Sequence, residues 1–428
     1  MIGLHVKRRP SATHSHADDT TPDESLDELA GLAESAGATV VDRLLQSLSS
    51  PDTATKIGSG KLAEAQALVA MHQAHTVIFD GDLSPSQQRN LETALECKVI
   101  DRTQLILDIF ASRARTREGQ LQVELAQLNY MLPRLSGQGI ALSRLGGGIG
   151  ARGPGETKLE TDRRRSGHRI AKIKRDIEHV RAGRAIQRHQ RQNRPLATIS
   201  LVGYTNAGKS TLFNLLTSAA VEADARMFAT LDPTVRQLVL PSKRKVLFSD
   251  TVGFIRGLPT TLVDAFRATL EEVVEARLLL HVVDASSPHA PLLVSHVLKV
   301  LEEIDAAQTP QLLVLNKIDR LPDGLADVAS VARRVLGDAR AEHSPDAVAV
   351  SSLTGQGFDQ LVTRIDQLLS LDPVEPATFR INAADGAALH VLHERAKVVA
   401  TSYDGTDVIL ETEAPESVRR ELSSYLTD

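Results

Sequence analysis

The stretch that decides the fold is Gly203-Tyr204-Thr205-Asn206-Ala207-Gly208-Lys209-Ser210. It fits the pattern G-x-x-x-x-G-K-[ST], whose glycines let backbone N–H groups turn inward around phosphate groups. The alternating run 197–202 before it predicts a buried strand, and a helix is expected over 211–217. This context predicts a phosphate-binding loop at the positive end of a helix that begins at Thr211. Lys209 should then reach the β- and γ-phosphates of a nucleotide, and the Ser210 hydroxyl should be a ligand of Mg²⁺.

Three more motifs follow strand-like runs farther along the chain. The first is Asp250-Thr251-Val252-Gly253, after the run 245–249. An Asp at a strand end can hold Mg²⁺ through a water molecule, and the Gly253 amide can bond the γ-phosphate. By itself D-x-x-G is a weak signal. Its place after a phosphate-binding loop and a strand gives it weight.

The other two motifs point to the base of the nucleotide. Asn316-Lys317-Ile318-Asp319 follows the buried run 311–315, and Ser351-Ser352-Leu353 follows 347–350. A carboxylate at Asp319 can accept two N–H donors from the Watson–Crick edge of guanine, whereas adenine lacks the N1 proton. Backbone amides of the second motif would contact the guanine O6. Four motifs in this order, each at a strand end, predict a P-loop GTPase domain over 195–372 with parallel α/β architecture.

Composition describes a protein with ordinary hydrophobic cores and limits its class. Apolar residues make up 42% and charged residues 24% of 428 residues, which is enough chain for about three domains. The single cysteine, Cys97, excludes an intramolecular disulfide and a Cys-based zinc site. No run of 18 apolar residues and no apolar N-terminal stretch is present, so a cytoplasmic protein without a membrane span is expected. The polar first dozen residues are expected to be mobile.

An N-terminal parallel α/β domain is predicted over 25–117, because strand-like and helix-like runs alternate there. The Gly58-Ser59-Gly60-Lys61 stretch lacks the full phosphate-loop spacing, since position 53 is Thr. A helix start explains it better than a second nucleotide site. The predicted strands are 38–45, 75–80 and 97–101, and the predicted helices begin near 26, 61, 84 and 103.

A basic helical hairpin is predicted over 118–194. Two apolar seams step by three and four residues, at Leu121, Leu125, Leu128 and Leu132 and at Ile170, Ile173, Ile177 and Val180, with a glycine-rich tip over 137–155 between them. Residues 141–194 hold 15 Lys/Arg against 5 Asp/Glu, although the whole chain has a net charge of −5. A solvated helix face would explain a charge run alone, but a basic block on an acidic protein also fits a polyanionic partner. The candidate RNA-contacting residues are Arg144, Arg152, Arg163, Arg164 and Arg165.

The last part of the chain predicts a small C-terminal α+β domain over 375–428. Pro373 and Pro376 indicate a linker before it. A β-α-β-β-α order is expected, with turns at Asp385-Gly386 and Asp404-Gly405.

Several stretches make the chain resemble the HflX family of ribosome-associated GTPases, within the translation-factor-related class of P-loop GTPases. The resemblance spans roughly residues 25–370 and is specific. It is carried by Leu83-Ser84-Pro85-Ser86-Gln87-Gln88, by Gly148-Ile149-Gly150-Ala151-Arg152-Gly153-Pro154-Gly155-Glu156-Thr157-Lys158, by Phe228-Ala229-Thr230-Leu231-Asp232-Pro233-Thr234 and by Asp250-Thr251-Val252-Gly253-Phe254-Ile255-Arg256.

The resemblance implies a monomeric cytoplasmic GTPase that binds the large ribosomal subunit (50S) and its ribosomal RNA and helps to separate or rescue stalled ribosomes. It implies that Thr230 is the switch threonine, which closes over Mg²⁺ and the γ-phosphate, within a GTP-binding segment that includes Phe228, Ala229, Leu231 and Asp232. Lys209, Thr230 and Gly253 would then serve catalysis. Asn206 lies where potassium-dependent relatives place an Asn beside a monovalent cation. Its tolerance of a tight loop backbone is the other explanation.

Phe254 departs from the Ras-like plan, because a phenyl ring cannot position water where a Gln would. We therefore expect slow hydrolysis without a partner. Two other functions stay open at this point: an ATP-driven RNA remodeller, against which Asp319 argues, and an RNA-binding scaffold that holds GTP as a static ligand.

Overall fold

The chain divides into two compact units, one of residues 1–189, 224–232 and 255–268, and one of residues 190–223, 233–254 and 269–428. The fold is known from a computed structural model. It describes residues 1–6, 21–135, 154–192, 196–217, 227–228, 230–231, 233–256, 270, 272–321, 328–336, 346–369 and 373–427.

The first unit contains a parallel sheet of order β2-β1-β3-β4. Its inner strand β1 begins at residue 2, so the prediction that the first dozen residues are mobile is wrong for this stretch. Ile2 is buried, and the ammonium of Met1 donates to the Asp42 carbonyl at 2.7 Å. The predicted strand 38–45 is also misplaced, because pairing with β1 sets the register of β2. The strands are β1 Ile2–Val6, β2 Leu44–Leu48, β3 Thr76–Phe79 and β4 Lys98–Asp101.

Helices pack against this sheet where the sequence places start signals. The Ser84 hydroxyl accepts a hydrogen bond from the Gln87 N–H, and Gln87 Oε1 accepts one from the Ser84 N–H. This reciprocal pair is a capping box, and it begins α3. Gly58 precedes α2, and Lys61 pairs with Glu64 at 2.7 Å, so the expected helix start is confirmed there. The helices are α1 Pro22–Ser35, α2 Ser59–His72, α3 Pro85–Leu95 and α4 Arg102–Arg113.

Two long helices, α5 Arg117–Leu135 and α6 Pro154–Gln192, follow α4 in the chain. Their seams meet in a cluster of Leu121, Ile173 and Ile177. Arg169 donates to both carboxylate oxygens of Glu124, at 2.6 and 2.8 Å. Residues that lie later in α5 contact residues that lie earlier in α6. The two helices are therefore antiparallel, as predicted. Most of the glycine-rich tip, residues 136–153, lies outside the described residues.

The second unit is built on a sheet of order β10-β9-β8-β5-β7-β6, in which only the edge strand β6 runs antiparallel. Its inner strands carry continuous apolar runs, as parallel strands covered on both faces do. The predicted strands over 197–202, 245–249, 311–315 and 347–350 are all present. The strands are β5 Thr198–Val202, β6 Thr234–Val239, β7 Lys245–Asp250, β8 Leu278–Asp284, β9 Gln311–Asn316 and β10 Ala347–Ala349; the helices are α7 Lys209–Thr217, α8 Ala290–Glu303, α9 Val328–Leu336 and α10 Phe358–Leu368.

The C-terminal residues form a four-stranded antiparallel sheet of order β12-β13-β11-β14, with two helices. Pro376 is not in a linker. It lies in β11 opposite Glu413, where β14 does not reach, so its missing N–H breaks no ladder bond. Asp385-Gly386 is not a hairpin turn, because Asp385 caps a helix by accepting from Ala388 N–H, whereas Asp404-Gly405 does turn the hairpin. The elements are β11 Val374–Asn382, α11 Gly386–Arg395, β12 Lys397–Asp404, β13 Asp407–Pro415, α12 Glu416–Glu421 and β14 Leu426–Thr427.

Within the described part of the chain, no helix is both long and apolar enough to cross a membrane. The order of the predicted architectures agrees with the observed sheets and helices. The residue numbers that bound the four predicted domains stay a prediction.

Candidate nucleotide-binding site

Parallel strand order brings the predicted motifs to one edge of the second unit's sheet. The loop 203–208 follows β5, Asp250 ends β7, Asn316 ends β9, and Ser351 follows β10. All four strands run in the same direction, so their carboxyl ends share that edge. This is where open α/β sheets bind ligands.

The two glycines of the loop are required by close packing as well as by backbone conformation. Gly203 has φ +150°, and a Cβ there would lie 2.3 Å from the Val282 carbonyl oxygen. Gly208 has φ +95°, and a Cβ would lie 2.2 Å from Asn316 Nδ2. Asn206 also adopts a left-handed φ of +62°, which Asn tolerates better than most residues. The tight backbone alone therefore accounts for Asn at this position.

Lys209 is held inside the loop. Its Nζ donates to the carbonyls of Gly203 at 3.0 Å and Tyr204 at 2.7 Å, and the residue is 6% exposed. Burial lowers the pKa of the Lys209 ammonium to about 8, while the Asp250 carboxylate acts in the opposite direction. A buried cation whose hydrogen bonds, among the described residues, go to carbonyl oxygens is suited to receive an anion such as a phosphate.

Ser210 and Asp250 meet beside the loop. The Ser210 Oγ donates to Asp250 Oδ2 at 2.7 Å, and Asp250 is fully buried. Thr251 donates to the Leu201 carbonyl at 2.5 Å, which fixes the strand end that carries Asp250. Mg²⁺ at nucleotide sites takes one or two protein oxygens and completes its shell with phosphate and water. This pair of hard oxygen donors fits that requirement.

On the base side, one amide side chain joins the motifs. Asn316 Nδ2 donates to the Ala207 carbonyl at 2.8 Å, and its Oδ1 accepts from Ser352 N–H at 3.0 Å. Asp319 Oδ1 accepts from Ser351 Oγ at 2.6 Å, which orients the carboxylate. Lys317 has a left-handed φ of +64°, and its ammonium donates to the Asn206 carbonyl at 2.7 Å. The N-K-x-D motif is thus tied both to the phosphate loop and to the S-S-L motif, whose Leu353 is 80% exposed.

Sequence reasoning missed two partners of these motifs. The backbone of Phe254 exchanges bonds with the loop, since Thr205 N–H donates to Phe254 O at 2.8 Å and Phe254 N–H donates to Gly203 O at 3.1 Å. The phenyl ring is buried, so this residue anchors the loop besides lacking a water-binding amide. Asp284 pairs with the Lys317 ammonium at 2.8 Å. The single signal for it was its position at the end of β8.

The predicted switch segment falls in the first unit. Phe228 packs edge-on against Phe110 with ring centroids 4.6 Å apart, and Met227 N–H donates to Ser35 Oγ at 2.8 Å. Thr230 and Leu231 are buried, whereas Ala229 and Asp232 lie outside the described residues. The roles of Thr230 in metal binding and catalysis stay predictions.

Arg256, three residues after Gly253 in sequence, also belongs to the first unit. Its guanidinium lies 3.9 Å from Glu28 and 3.7 Å from Asp80 and donates to Ser25 Oγ. Arg102 bonds the same two carboxylates at 2.6 and 3.1 Å. No local pattern in the sequence indicated this ion network, because its members are up to 231 positions apart.

The predicted RNA-contacting arginines are only partly described. Arg163, Arg164 and Arg165 are exposed on α6, and Arg144 and Arg152 lie outside the described residues. The described block is therefore accessible to a partner, and its contact with RNA stays a prediction.

Three family models match the chain in order. They are described as "GTP-binding GTPase N-terminal" over residues 23–111, "GTP-binding GTPase Middle Region" over 113–191 and "50S ribosome-binding GTPase" over 198–317. GTPase HflX of Alkalihalophilus pseudofirmus is 46% identical over 404 residues, which is 94% of this chain and 90% of that protein. The chain belongs to the HflX family of GTPases. GTPase HflX of Escherichia coli is 47% identical over 363 residues, covering 85% of this chain and 83% of that protein.

A solved structure supports the same fold. The crystal structure of SsGBP in complex with GDP matches with a TM-score of 0.50 and 25% identity, covering 86% of this chain and 97% of that one. The HflX resemblance inferred from the motifs is confirmed by the family models and the HflX relatives, and the P-loop GTPase fold is confirmed by the "50S ribosome-binding GTPase" model and this structure.

Proposed function

We propose that this chain binds GTP with Mg²⁺ and hydrolyses it to GDP and phosphate, at a site formed by the four motifs. The observation that carries the proposal is the meeting of Ser210 Oγ and Asp250 Oδ2 at 2.7 Å beside the buried Lys209 ammonium. Mg²⁺ would supply charge neutralisation between the β- and γ-phosphates. Ser210 would ligate it directly, Asp250 through water, and Thr230 on closure of its segment.

Selection of guanine is assigned to Asp319, with Asn316, Lys317 and the 351–353 amides as its support. The carboxylate is already oriented by Ser351. A competition assay between GTP and ATP separates this function from an ATP-driven RNA remodeller. Bound GTP should be displaced by GDP and not by ATP.

We further propose that the chain works in the cytoplasm as a monomer on the large ribosomal subunit, in ribosome splitting, rescue or recycling. The "50S ribosome-binding GTPase" model that matches residues 198–317 supports this, as do the exposed arginines of α6. Long basic helices bind structured RNA mainly through its phosphates, with arginines that pair or stack. Hydrolysis should be slow in the free protein, because Phe254 offers no side-chain hydrogen bond to water.

The test is GTP turnover with and without 50S subunits. Wild-type protein should be stimulated by 50S, and the triple variant Arg163→Glu, Arg164→Glu, Arg165→Glu should lose stimulation while it keeps its basal rate. A matched control reverses three exposed cations elsewhere, at Lys299, Arg333 and Arg420. It should keep stimulation, because the total charge change is the same and only the position differs.

Two results would redirect the proposal. No turnover by wild-type protein under any condition would favour the scaffold with a static GTP ligand. Equal turnover with and without 50S would remove the ribosome from the mechanism. Running the assay in sodium and potassium buffers also tests the hypothesis that a monovalent cation binds beside Asn206. A bound K⁺ there would make the rate of GTP hydrolysis potassium-dependent.

A further inference from the structure

The side chain of Thr205 is buried in the phosphate loop, and its hydroxyl has no hydrogen-bond partner in the described part of the protein. Thr205 is 8% exposed, and within the described residues its Oγ1 makes no hydrogen bond. A buried hydroxyl without an acceptor costs free energy that a valine of the same shape would not cost. In the nucleotide-free protein, this unpaired hydroxyl therefore lowers the stability of the folded state. A ligand that accepts its hydrogen bond would remove that cost.

The neighbours of Thr205 show which part of a ligand is near. A Cβ built on Gly253 would lie 2.9 Å from Lys209 Nζ and 2.9 Å from Thr205 Cγ2. The Thr205 side chain and the Lys209 ammonium thus both border the space beside Gly253, the glycine assigned to the γ-phosphate. A γ-phosphate held at Gly253 would therefore lie next to Thr205.

The backbone around Thr205 is held in place. Its N–H donates to the Phe254 carbonyl at 2.8 Å, and Tyr204 pairs with Phe254 as an isolated bridge. Phe254 thereby offers a main-chain anchor to the loop, while its ring can offer no hydrogen bond to a γ-phosphate. A positioned donor in a water-poor site is worth more than one in water, because it needs no reorganisation during the reaction.

We propose that the Thr205 hydroxyl donates a hydrogen bond to a γ-phosphate oxygen of GTP and keeps it in the transition state. In that step a bond forms between the water oxygen and the γ-phosphorus, and the bond from this phosphorus to the bridging oxygen breaks. The electron pair stays on the β-phosphate of GDP, and the water proton ends on the released phosphate. Thr205 transfers no proton; it stabilises charge on the departing phosphoryl group. The inference rests on the GTP hydrolysis proposed above.

The experiment compares Thr205→Val, which removes only the hydroxyl, with Thr205→Ser, which keeps it. Three readouts are needed: single-turnover GTP hydrolysis, the Kd values of GDP and of a non-hydrolysable GTP analogue, and the Tm of the nucleotide-free protein. The valine variant should hydrolyse GTP at least about tenfold more slowly than the wild-type protein. It should bind the analogue more weakly with unchanged GDP affinity, and melt at a higher temperature without nucleotide. The serine variant should stay within a few-fold of the wild-type rate.

Each alternative outcome is distinct. Wild-type hydrolysis rates in Thr205→Val would overturn the inference and leave the proposed GTPase function standing. Equal loss of GDP and analogue affinity would also overturn it, since the side chain would then only shape the loop. Thr205→Ala serves as a second hydroxyl-free variant if the valine variant does not fold. Absence of turnover in the wild-type protein would instead contradict the proposed function itself.

Discussion

At the residue scale, Asp319 is the side chain to which we assign base selection. Its carboxylate accepts from Ser351 Oγ, which orients it, and an ionised carboxylate keeps further lone pairs for the two N–H donors of guanine. In Asp319→Asn an amide donor would face the N–H donors of guanine. Loss of a hydrogen bond to a charged group costs about 2–3 kcal/mol, so GTP affinity should fall about 30- to 150-fold.

Nucleotide titration checks this prediction for Asp319, with xanthine nucleotide as a gain-of-binding control, because xanthine can accept where guanine donates. Ser351→Ala should weaken GTP binding less, since it removes only the orienting bond. Unchanged GTP affinity in Asp319→Asn would remove this residue from its assigned role.

His281 makes stability depend on pH at the same scale. It is buried in β8, and burial lowers the pKa of its imidazole to about 4, with Lys209 acting in the same direction. An unfolded histidine titrates near 6.5, so between pH 6.5 and pH 4 the unfolded state binds the proton and the folded state does not. The contribution of His281 to the free energy of unfolding is therefore complete above pH 6.5 and decreases as the pH falls. At pH 5 this residue has lowered the free energy of unfolding by about 2 kcal/mol.

The measurement is urea unfolding of wild-type protein and His281→Leu at pH 7 and pH 5. Subtracting the two pH dependences cancels the other titrating groups. The wild type should lose about 2 kcal/mol more than the variant on going to pH 5. Identical losses would show that His281 titrates normally in the folded protein.

At the element scale, a buried ion pair joins the end of the β6–β7 hairpin to α10. Arg244 donates from Nε to Asp366 at 3.1 Å and from Nη1 to the Leu369 carbonyl at 3.1 Å. Ser242 donates to the same carboxylate from its N–H at 2.8 Å and its Oγ at 2.7 Å. The side chains of Arg244 and Asp366 are only 7% and 12% exposed, so the network is little screened by water.

Replacing Asp366 with Asn should therefore be strongly destabilising. It leaves the Arg244 charge buried without a counter-ion, which costs about 3 kcal/mol or more. Glu421→Gln is the matched control, because it breaks an ion pair with Arg395 whose side chains are 37% and 48% exposed. That change should cost less than about 1 kcal/mol. Similar unfolding free energies for the two variants would contradict the role given to the buried pair.

At the scale of the whole molecule, the proposed ribosome binding and GTP binding must be linked. If GTP-bound protein prefers 50S subunits, 50S subunits must tighten GTP binding by the same factor. Couplings of this kind lie at about 5- to 150-fold. Sedimentation with a non-hydrolysable GTP analogue and with GDP measures one side, and nucleotide titration with and without 50S measures the other.

For wild-type protein, the factor by which the GTP analogue tightens 50S binding should equal, within error, the factor by which 50S tightens GTP binding. Both factors should fall to one in the charge-reversal variant of Arg163, Arg164 and Arg165. The Lys299, Arg333 and Arg420 variant should keep both. Equal sedimentation with GDP and with the analogue would show that the bound nucleotide does not control ribosome binding.

The sequence alone predicted the candidate nucleotide site, because each motif is short, local and placed after a strand. The glycine spacing of the loop, the capping signal at Ser84 and the apolar seam within each of α5 and α6 are visible from neighbours in sequence or from one helix period. Parallel strand order then follows from alternating strands and helices, and it brings Asp250, Asn316 and Ser351 to the loop at one sheet edge.

Only the tertiary structure decided what depends on distant partners. Ile2–Val6 is a strand because β2 and β3 pair with it on both sides, although its own sequence looked like a mobile end. Pro376 is tolerated in β11 because β14 stops short of it. Arg256 pairs with Glu28 and Asp80, and Thr205 lies against Gly253, through folding of segments far apart in the chain. Hydrogen bonds and burial between such segments leave no local periodicity in the sequence. For this reason no sequence pattern predicted these contacts.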